Sequence, residues 1–105
     1  MTKKKDTILV CVKMPGEEPY VDHMPNTLET FQQVVGGYIE SFQIAADCTL
    51  LCNEDGLLLD LPYNATIAGN PFVGPVVAVG VKGEDFCSLR AAEVPFILNV
   101  LRGRK

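Results

Sequence analysis

Apolar residues along this chain fall mostly into short, β-branched runs separated by turn-forming residues. The first run, Thr7 to Lys13, is apolar on both faces, which is typical of a central strand. Pro15, Gly16 and Pro19 interrupt it, and Tyr20 to Met24 resumes an extended pattern. We therefore expect the chain to open with a β-hairpin.

A helix is predicted over Thr27 to Val35, where apolar residues recur at helical spacing. Asn26 is a candidate N-cap, and Glu29 three residues later completes a pattern like a capping box. Gly36 and Gly37 should end this helix, one of them in the left-handed conformation.

A second helix is predicted near the end of the chain, after a possible cap at Ser88. Ala91, Val94, Ile97, Leu98 and Leu101 form its apolar stripe. Pro95 lies inside the segment and should kink or restart the helix, and Gly103 should terminate it.

Four more strands are expected between and after the helix signals. They are Tyr38 to Ile44, Cys48 to Cys52, Leu57 to Leu59 and Val76 to Val81, and the last of them should be a buried strand. The turn Asn53-Glu54-Asp55-Gly56 should join the second of these strands to the third, and residues 82–85 should form a turn after the last.

This order predicts an α+β fold with a single mixed sheet of about five to six strands and two helices. The β-β-α-β opening is compatible with a β-grasp-like layout, an analogy of element order only. The length of 105 residues suits one domain spanning 1–105, with residues 1–5 and 103–105 as frayed basic tails.

The charges are unevenly placed along the chain. Six of the nine basic residues lie at the two ends of the chain, within residues 3–5 and 102–105, whereas the span from Asp6 to Leu101 holds three basic and thirteen acidic residues, a formal charge of −10. An acidic body repels phosphate backbones, so specific nucleic-acid binding is disfavoured. No apolar run is long enough for a membrane span or an export signal, which predicts a cytoplasmic protein.

The residue types that most often carry chemistry are sparse. Cys11, Cys48, Cys52 and Cys87 form no C-x-x-C pair and lie in or beside apolar segments, so we expect buried thiols rather than disulfides. His23 is the only histidine, which leaves a Cys-His catalytic pair as a minor hypothesis. The spacing predicts neither a metal site nor a cofactor.

The stretch from Leu61 to Pro75 is predicted to be irregular, and loops of this length often carry function. Its aromatic and amide side chains suit a polar ligand or a partner, and two residues at the start of the nearby strand could join them. The candidate binding residues are therefore Tyr38, Glu40, Tyr63, Asn64, Asn70 and Phe72. The alternative is an ordered loop whose aromatic rings, Tyr63 and Phe72, pack into the core.

Several stretches together resemble a family of small domains of unknown function, DUF3846. They include Val34-Val35-Gly36-Gly37-Tyr38-Ile39-Glu40, Leu51-Cys52-Asn53-Glu54-Asp55-Gly56, Leu61-Pro62-Tyr63-Asn64 and Gly74-Pro75-Val76-Val77-Ala78-Val79-Gly80. The resemblance covers nearly the whole chain and implies a setting in bacteriophages, mobile elements and their bacterial hosts. It implies no activity, substrate or catalytic residue.

Three hypotheses about function follow. The first is a non-enzymatic accessory or binding module with a protein or a small polar ligand as its partner. The second is an acidic nucleic-acid mimic or inhibitor of a host defence protein, which requires one continuous acidic face. The third is a small enzyme that uses a thiol or His23. A homodimer through the free edge of the Tyr20 to Met24 strand is a further hypothesis.

Overall fold

A computed structural model describes residues 7–103 and shows an α+β fold with two helices and a six-stranded sheet, which confirms the predicted fold class. The strands are β1 (Thr7–Lys13), β2 (Tyr20–Pro25), β3 (Ile39–Ala45), β4 (Cys48–Asn53), β5 (Tyr63–Ile67), β6 (Asn70–Val73), β7 (Val76–Lys82) and β8 (Asp85–Cys87). The helices are α1 (Leu28–Val35) and α2 (Val94–Arg102). The predicted tails lie outside the described residues, apart from Gly103.

The main sheet has the order β2-β1-β7-β4-β3, and β8 pairs with the far end of β7. All of these pairings are antiparallel, where a mixed sheet was expected. A second sheet, the hairpin β5–β6, is separate from the first. β1 and β7 occupy interior positions, as the sequence predicted. A strand with neighbours on both sides can pair all of its backbone groups within the sheet.

The core has two layers, one on each face of the main sheet. On one face Val10, Val12, Val77 and Val79 pack with Phe31 of α1. On the other face the side chains come from alternate positions of the same strands, and they pack against α2 and the β5–β6 hairpin. The main contributors there are Cys11, Leu50, Val76, Ala78, Ile67, Phe72, Ile97 and Leu101.

The predicted helix α1 is confirmed, but its cap lies one residue later than expected. Thr27 has extended backbone angles, and its hydroxyl accepts a hydrogen bond from the Thr30 N–H at 3.1 Å. The Asn26 side chain instead donates to the carbonyl of Phe86 at 2.9 Å. Gly36 ends the helix with φ 84°, in the left-handed region where glycine carries no steric penalty.

Helix α2 begins at Val94 and has Pro95 in its first turn, so the proline starts the helix instead of kinking it. A short 3-10 helix, Ala91–Glu93, precedes it. The proposed cap, Ser88, does not serve this helix, because its hydroxyl accepts a hydrogen bond from the Leu9 N–H at 2.9 Å. Gly103 caps the C-terminus, as predicted.

Three strand assignments from the sequence were wrong. Residues 57–59 form part of a turn and not a strand, and the stretch 61–75, predicted to be irregular, contains the β5–β6 hairpin. The third error is the omission of the short strand β8 at Asp85–Cys87. The turn is held by local backbone hydrogen bonds, and the missed strands belong to two short hairpins, β5–β6 and β7–β8, whose turn geometry periodicity does not report.

Candidate functional site

An open cavity of about 480 Å³ lies where β3 and β4 meet β6 and the turn that follows β4. Its apolar wall includes Phe42 and Phe72, whose rings meet edge to face with centroids 5.5 Å apart. Glu40 and Glu54 supply carboxylates, and Asn70 supplies an amide. The cavity therefore offers an apolar surface bordered by acidic and polar groups.

Three of the six residues proposed from the sequence line this cavity: Glu40, Asn70 and Phe72. Phe72 is buried, whereas Glu40 and Asn70 are exposed. The Asn70 amide donates a local hydrogen bond to the carbonyl of Ala68 at 3.0 Å. The sheet brings Glu40 to β6 because residues of β3 with even numbers point toward the face that the β5–β6 hairpin covers.

The other three proposed residues do not line the cavity. Tyr38 is exposed just before β3, and Tyr63 is exposed with its hydroxyl 2.6 Å from that of Thr66. Asn64 is buried, and its amide donates to the carbonyls of Lys13 at 2.8 Å and Gly74 at 2.7 Å. The bond to Lys13 connects the hairpin to β1, and the bond to Gly74 joins its first strand to the residue that follows its second, so the Asn64 side chain has a structural role.

The most exposed apolar side chains around the cavity are three consecutive leucines. Leu57 is 83% exposed, Leu58 86% and Leu59 57%, and the first two line the cavity. They lie in a segment that we call the leucine loop, residues 54–61. Sequence reasoning assigned these leucines to a strand and missed them as a surface feature. Periodicity gave no signal against the strand, because a short uninterrupted apolar run is also typical of a buried strand.

The leucine loop is held by its own backbone hydrogen bonds. The Leu59 N–H donates to the Asp55 carbonyl at 2.9 Å, and the Leu61 N–H donates to the Gly56 carbonyl at 3.0 Å. At Gly56 a Cβ atom would lie 2.8 Å from Cγ2 of Val73, so the loop packs closely against β6. The leucines are consequently presented outward by a turn that local backbone bonds shape and that packs against β6.

Asn53 joins the leucine loop to the core. Its buried amide donates to the carbonyl of Val35 at 3.0 Å, and its side-chain oxygen accepts from the Asp55 N–H at 2.7 Å. The first bond satisfies a carbonyl in the last turn of α1, and the second fixes the start of the loop. A single side chain thus sets the position of the loop relative to α1.

A model of the family described as Domain of unknown function (DUF3846) matches residues 7–100 of the chain. The chain belongs to this family. The DUF3846 match covers every strand of the fold, all of α1 and most of α2, and so confirms the resemblance drawn from the sequence motifs. Comparisons with curated proteins and with solved structures gave no match. Because the DUF3846 description names no activity, the chemistry of the site has to come from its residues.

The charge around the cavity is negative. Besides Glu40 and Glu54 in its lining, the leucine loop carries Asp55 and Asp60. The sequence has no lysine, arginine or histidine from residue 24 to residue 81, so no cation from these segments neutralises them. An acidic rim around exposed leucines favours a ligand that is both basic and apolar.

Three of the four thiols of this DUF3846 domain are poor nucleophiles at neutral pH. Burial raises the pKa of Cys11 to about 11 and that of Cys48 to about 12. Cys52, which lines the cavity, is half-buried, and its pKa is also raised, first by burial and then by the carboxylate of Glu40. Since the thiolate is the reactive form, these three cysteines stay protonated. Cys87 is half-buried, and all four are free of disulfides.

Among residues 7–103, neither the position of His23 nor the arrangement of potential metal ligands supports a catalytic or metal site. His23 is exposed on β2, at the opposite edge of the sheet from β3 and the cavity. No group of three or more histidine, cysteine, aspartate or glutamate side chains in this range is arranged to hold a metal ion. Within the same range, no helix is long and apolar enough to span a membrane.

Proposed function

We propose that this protein is a non-enzymatic binding module that docks a protein segment on the leucine loop and the adjoining cavity. The observation that carries the proposal is the exposure of Leu57, Leu58 and Leu59 from a hydrogen-bonded loop. Burying one leucine side chain contributes about 1.5–3 kcal/mol, so three exposed side chains are a large source of binding free energy. Contiguous exposed apolar surface of this kind is characteristic of interaction sites.

The proposed occupant is a segment of another protein that combines apolar side chains with lysine or arginine. The leucines and the Phe42–Phe72 wall suit its apolar side chains, and Glu40 and Glu54 suit its cations. A small polar ligand would leave the leucines in water, so a protein is the better match. On the resemblance to DUF3846 we further propose that the module is an accessory protein of a phage, a mobile element or its bacterial host. On the absence of an apolar run long enough for an export signal, we propose that it acts in the cytoplasm.

A nucleic-acid mimic ranks second, because it needs one continuous acidic face. Glu17 and Glu18 lie in the β1–β2 turn, whereas Glu84 lies in the β7–β8 turn and Asp85 at the start of β8, at the other end of the sheet. Glu54, Asp55 and Asp60 belong to the leucine loop. This distribution favours the binding module, whose acidic groups need only surround one docking surface.

An enzyme that uses a thiol ranks third. Three of the four thiols have raised pKa values, and a nucleophilic cysteine needs a lowered pKa. His23 lies on the edge strand β2, where its backbone N–H is hydrogen-bonded by the Asp22 carboxylate at 2.8 Å. This arrangement holds the strand edge and leaves His23 away from the cavity.

The proposal is tested by site-specific photo-crosslinking in cells of the organism that encodes the protein. A photoreactive side chain at position 58 should give a discrete crosslinked partner, whereas the same group at position 28 should not. Leu28 is a suitable control because it is 57% exposed, like Leu59, but lies on α1. The partner is then purified, and its affinity is measured for Leu58→Ser and for Leu28→Ser.

Leu58→Ser should weaken binding at least tenfold, because each 1.4 kcal/mol of lost apolar burial is a factor of ten. Leu28→Ser should leave the affinity within about twofold of the wild type, as expected of a residue outside the interface. Both variants should melt at the wild-type temperature, since both side chains are exposed. Equal crosslinking at the two positions, or equal affinities of the two variants, would contradict the proposal.

A further inference from the structure

The two edges of the main sheet differ in how their backbone groups are protected. At β2 the carboxylate of Asp22 accepts a hydrogen bond from the backbone N–H of His23, and Pro25 has no backbone N–H that an added strand could use. Strand β3 contains neither proline nor lysine, the residues that commonly block an edge. Among the described residues, no side chain hydrogen-bonds with the backbone of Ile39 or Ser41.

The register of β3 with β4 shows which backbone groups are free. The Glu54 N–H donates to the Tyr38 carbonyl at 2.8 Å, so these two residues face each other as a hydrogen-bonded pair. In an antiparallel ladder bonded and non-bonded pairs alternate. Glu40 and Phe42 therefore turn their backbone groups toward β4, and the N–H and C=O groups of Ile39, Ser41 and Gln43 point outward from the sheet.

The free edge of β3 is continuous with the candidate site. The cavity is lined by Glu40 and Phe42, whose side chains face it, and also by Ser41 between them. Side chains of adjacent strand residues point to opposite faces, so Ser41 contributes to the cavity from the edge of the strand. The cavity therefore extends from the leucine loop to the unpaired backbone of β3.

We infer that the partner segment binds as an additional β-strand along β3, a mode that rests on the proposed docking function. The free length is limited by a bulge between Gln43 and Ala45, so the added strand pairs with about five residues, 39–43. On the cavity side, its residue opposite Glu40 is lysine or arginine and its residue opposite Phe42 is apolar. On the other side it faces Ile39, Ser41 and Gln43, which suits β-branched or polar side chains.

A second copy of this chain is a poorer occupant of the β3 edge than a basic segment. Pairing two β3 strands would bring the acidic rims of both copies together, including Glu40, Glu54 and the aspartates of the leucine loop. Like charges across paired strands are destabilising. A segment rich in lysine or arginine gains the opposite, attractive interaction.

The inference is tested with a display library of random ten-residue peptides selected on the folded full-length chain. Enriched peptides should alternate, with basic and apolar residues on one side of the strand. The best peptide is synthesised, and its dissociation constant is measured for wild type, Ser41→Pro and Ser41→Ala. Ser41→Pro removes an outward N–H and should weaken binding at least tenfold. Ser41→Ala keeps that N–H and loses only a cross-strand side-chain contact, so it should weaken binding by less than about fivefold.

A second measurement does not depend on how the proline variant folds. The same peptide, methylated on alternate backbone nitrogens that face β3, should lose binding to the wild-type protein at least tenfold. Hydrogen exchange at the amides of Ile39 and Ser41 should slow in the complex with the unmodified peptide, because these groups become hydrogen-bonded.

The outcomes separate the two proposals. If Leu58→Ser weakens the peptide but Ser41→Pro and backbone methylation do not, the docking site stands and strand addition is wrong. If no peptide is enriched, or if neither Leu58→Ser nor Ser41→Pro weakens it, both proposals fail. Dimerisation of the wild type that Ser41→Pro abolishes would identify a second copy as the occupant and overturn the basic partner.

Discussion

Strand β7 and the leucine loop contain equally apolar runs with opposite surroundings. Val76, Val77, Ala78 and Val79 are completely buried, whereas Leu57, Leu58 and Leu59 are mostly exposed. The backbone of β7 pairs with β1 and β4, and both of its faces are covered. The leucine loop satisfies its backbone through local bonds. The comparison shows that an apolar sequence makes burial favourable, but a segment is buried only where its backbone pairs with neighbouring strands and other elements cover its faces.

The largest effect is expected on the buried side of this comparison. Leu51 of β4 is fully buried and pairs with Val77 of β7. Leu51→Ala should lower the free energy of unfolding by about 2–5 kcal/mol, because it removes apolar contacts and leaves a cavity. Urea unfolding followed by circular dichroism measures this loss. A loss below about 1 kcal/mol would show that the β4–β7 layer is not closely packed.

An intermediate effect is expected at Asn53, which connects the core to the leucine loop. Asn53→Ala leaves the Val35 carbonyl and the Asp55 N–H without their partner, at a cost of about 1–3 kcal/mol. Limited proteolysis should also cut the loop near Leu57 faster than in the wild type. Asn70→Ala is the matched control, since Asn70 is exposed and makes one local bond, and it should change stability by less than about 0.5 kcal/mol. Equal behaviour of the two variants would show that Asn53 does not hold the loop.

The smallest effect is expected at the exposed leucines. Leu57→Ser should change the free energy of unfolding of the isolated protein by less than about 0.5 kcal/mol, because the side chain is 83% exposed. The same urea titration as for Leu51→Ala provides the comparison. Destabilisation of the size expected for Leu51→Ala would mean that Leu57 is buried in solution, and the docking surface would then be occupied by the protein itself.

Local signals in the sequence identified much of the fold. The β-branched runs placed β1 and β7 in the interior of the sheet, and the spacing of apolar residues identified α1 and α2. The predicted helix ends at Gly36 and Gly103 were correct. Both residues have a positive φ, which glycine adopts without a steric penalty and which depends only on local structure. Which of two neighbouring residues caps α1 was harder to predict, since Asn26 and Thr27 are both good N-caps. Thr27 caps the helix because the Asn26 side chain is bonded to the carbonyl of Phe86 instead.

The candidate site was predicted in part. Glu40, Asn70 and Phe72 were proposed from composition, and they line one cavity because β6 packs beside β3 and β4. Asn64 carries the same functional group as Asn70, yet it is buried and bonded to Lys13 and Gly74. Residue type alone could not distinguish them, because the difference lies in contacts between residues far apart in the chain.

The sequence by itself determined the class of this protein: an α+β fold of the DUF3846 family, with an acidic body and interior strands recognisable from their composition. Those properties depend on residue type and on spacing within one element. The tertiary structure alone decided that β3 is an edge, that the leucines remain in water, and that both border one cavity. Each of these depends on which segments pair across the sheet, and pairing is set by the free energy of the whole fold.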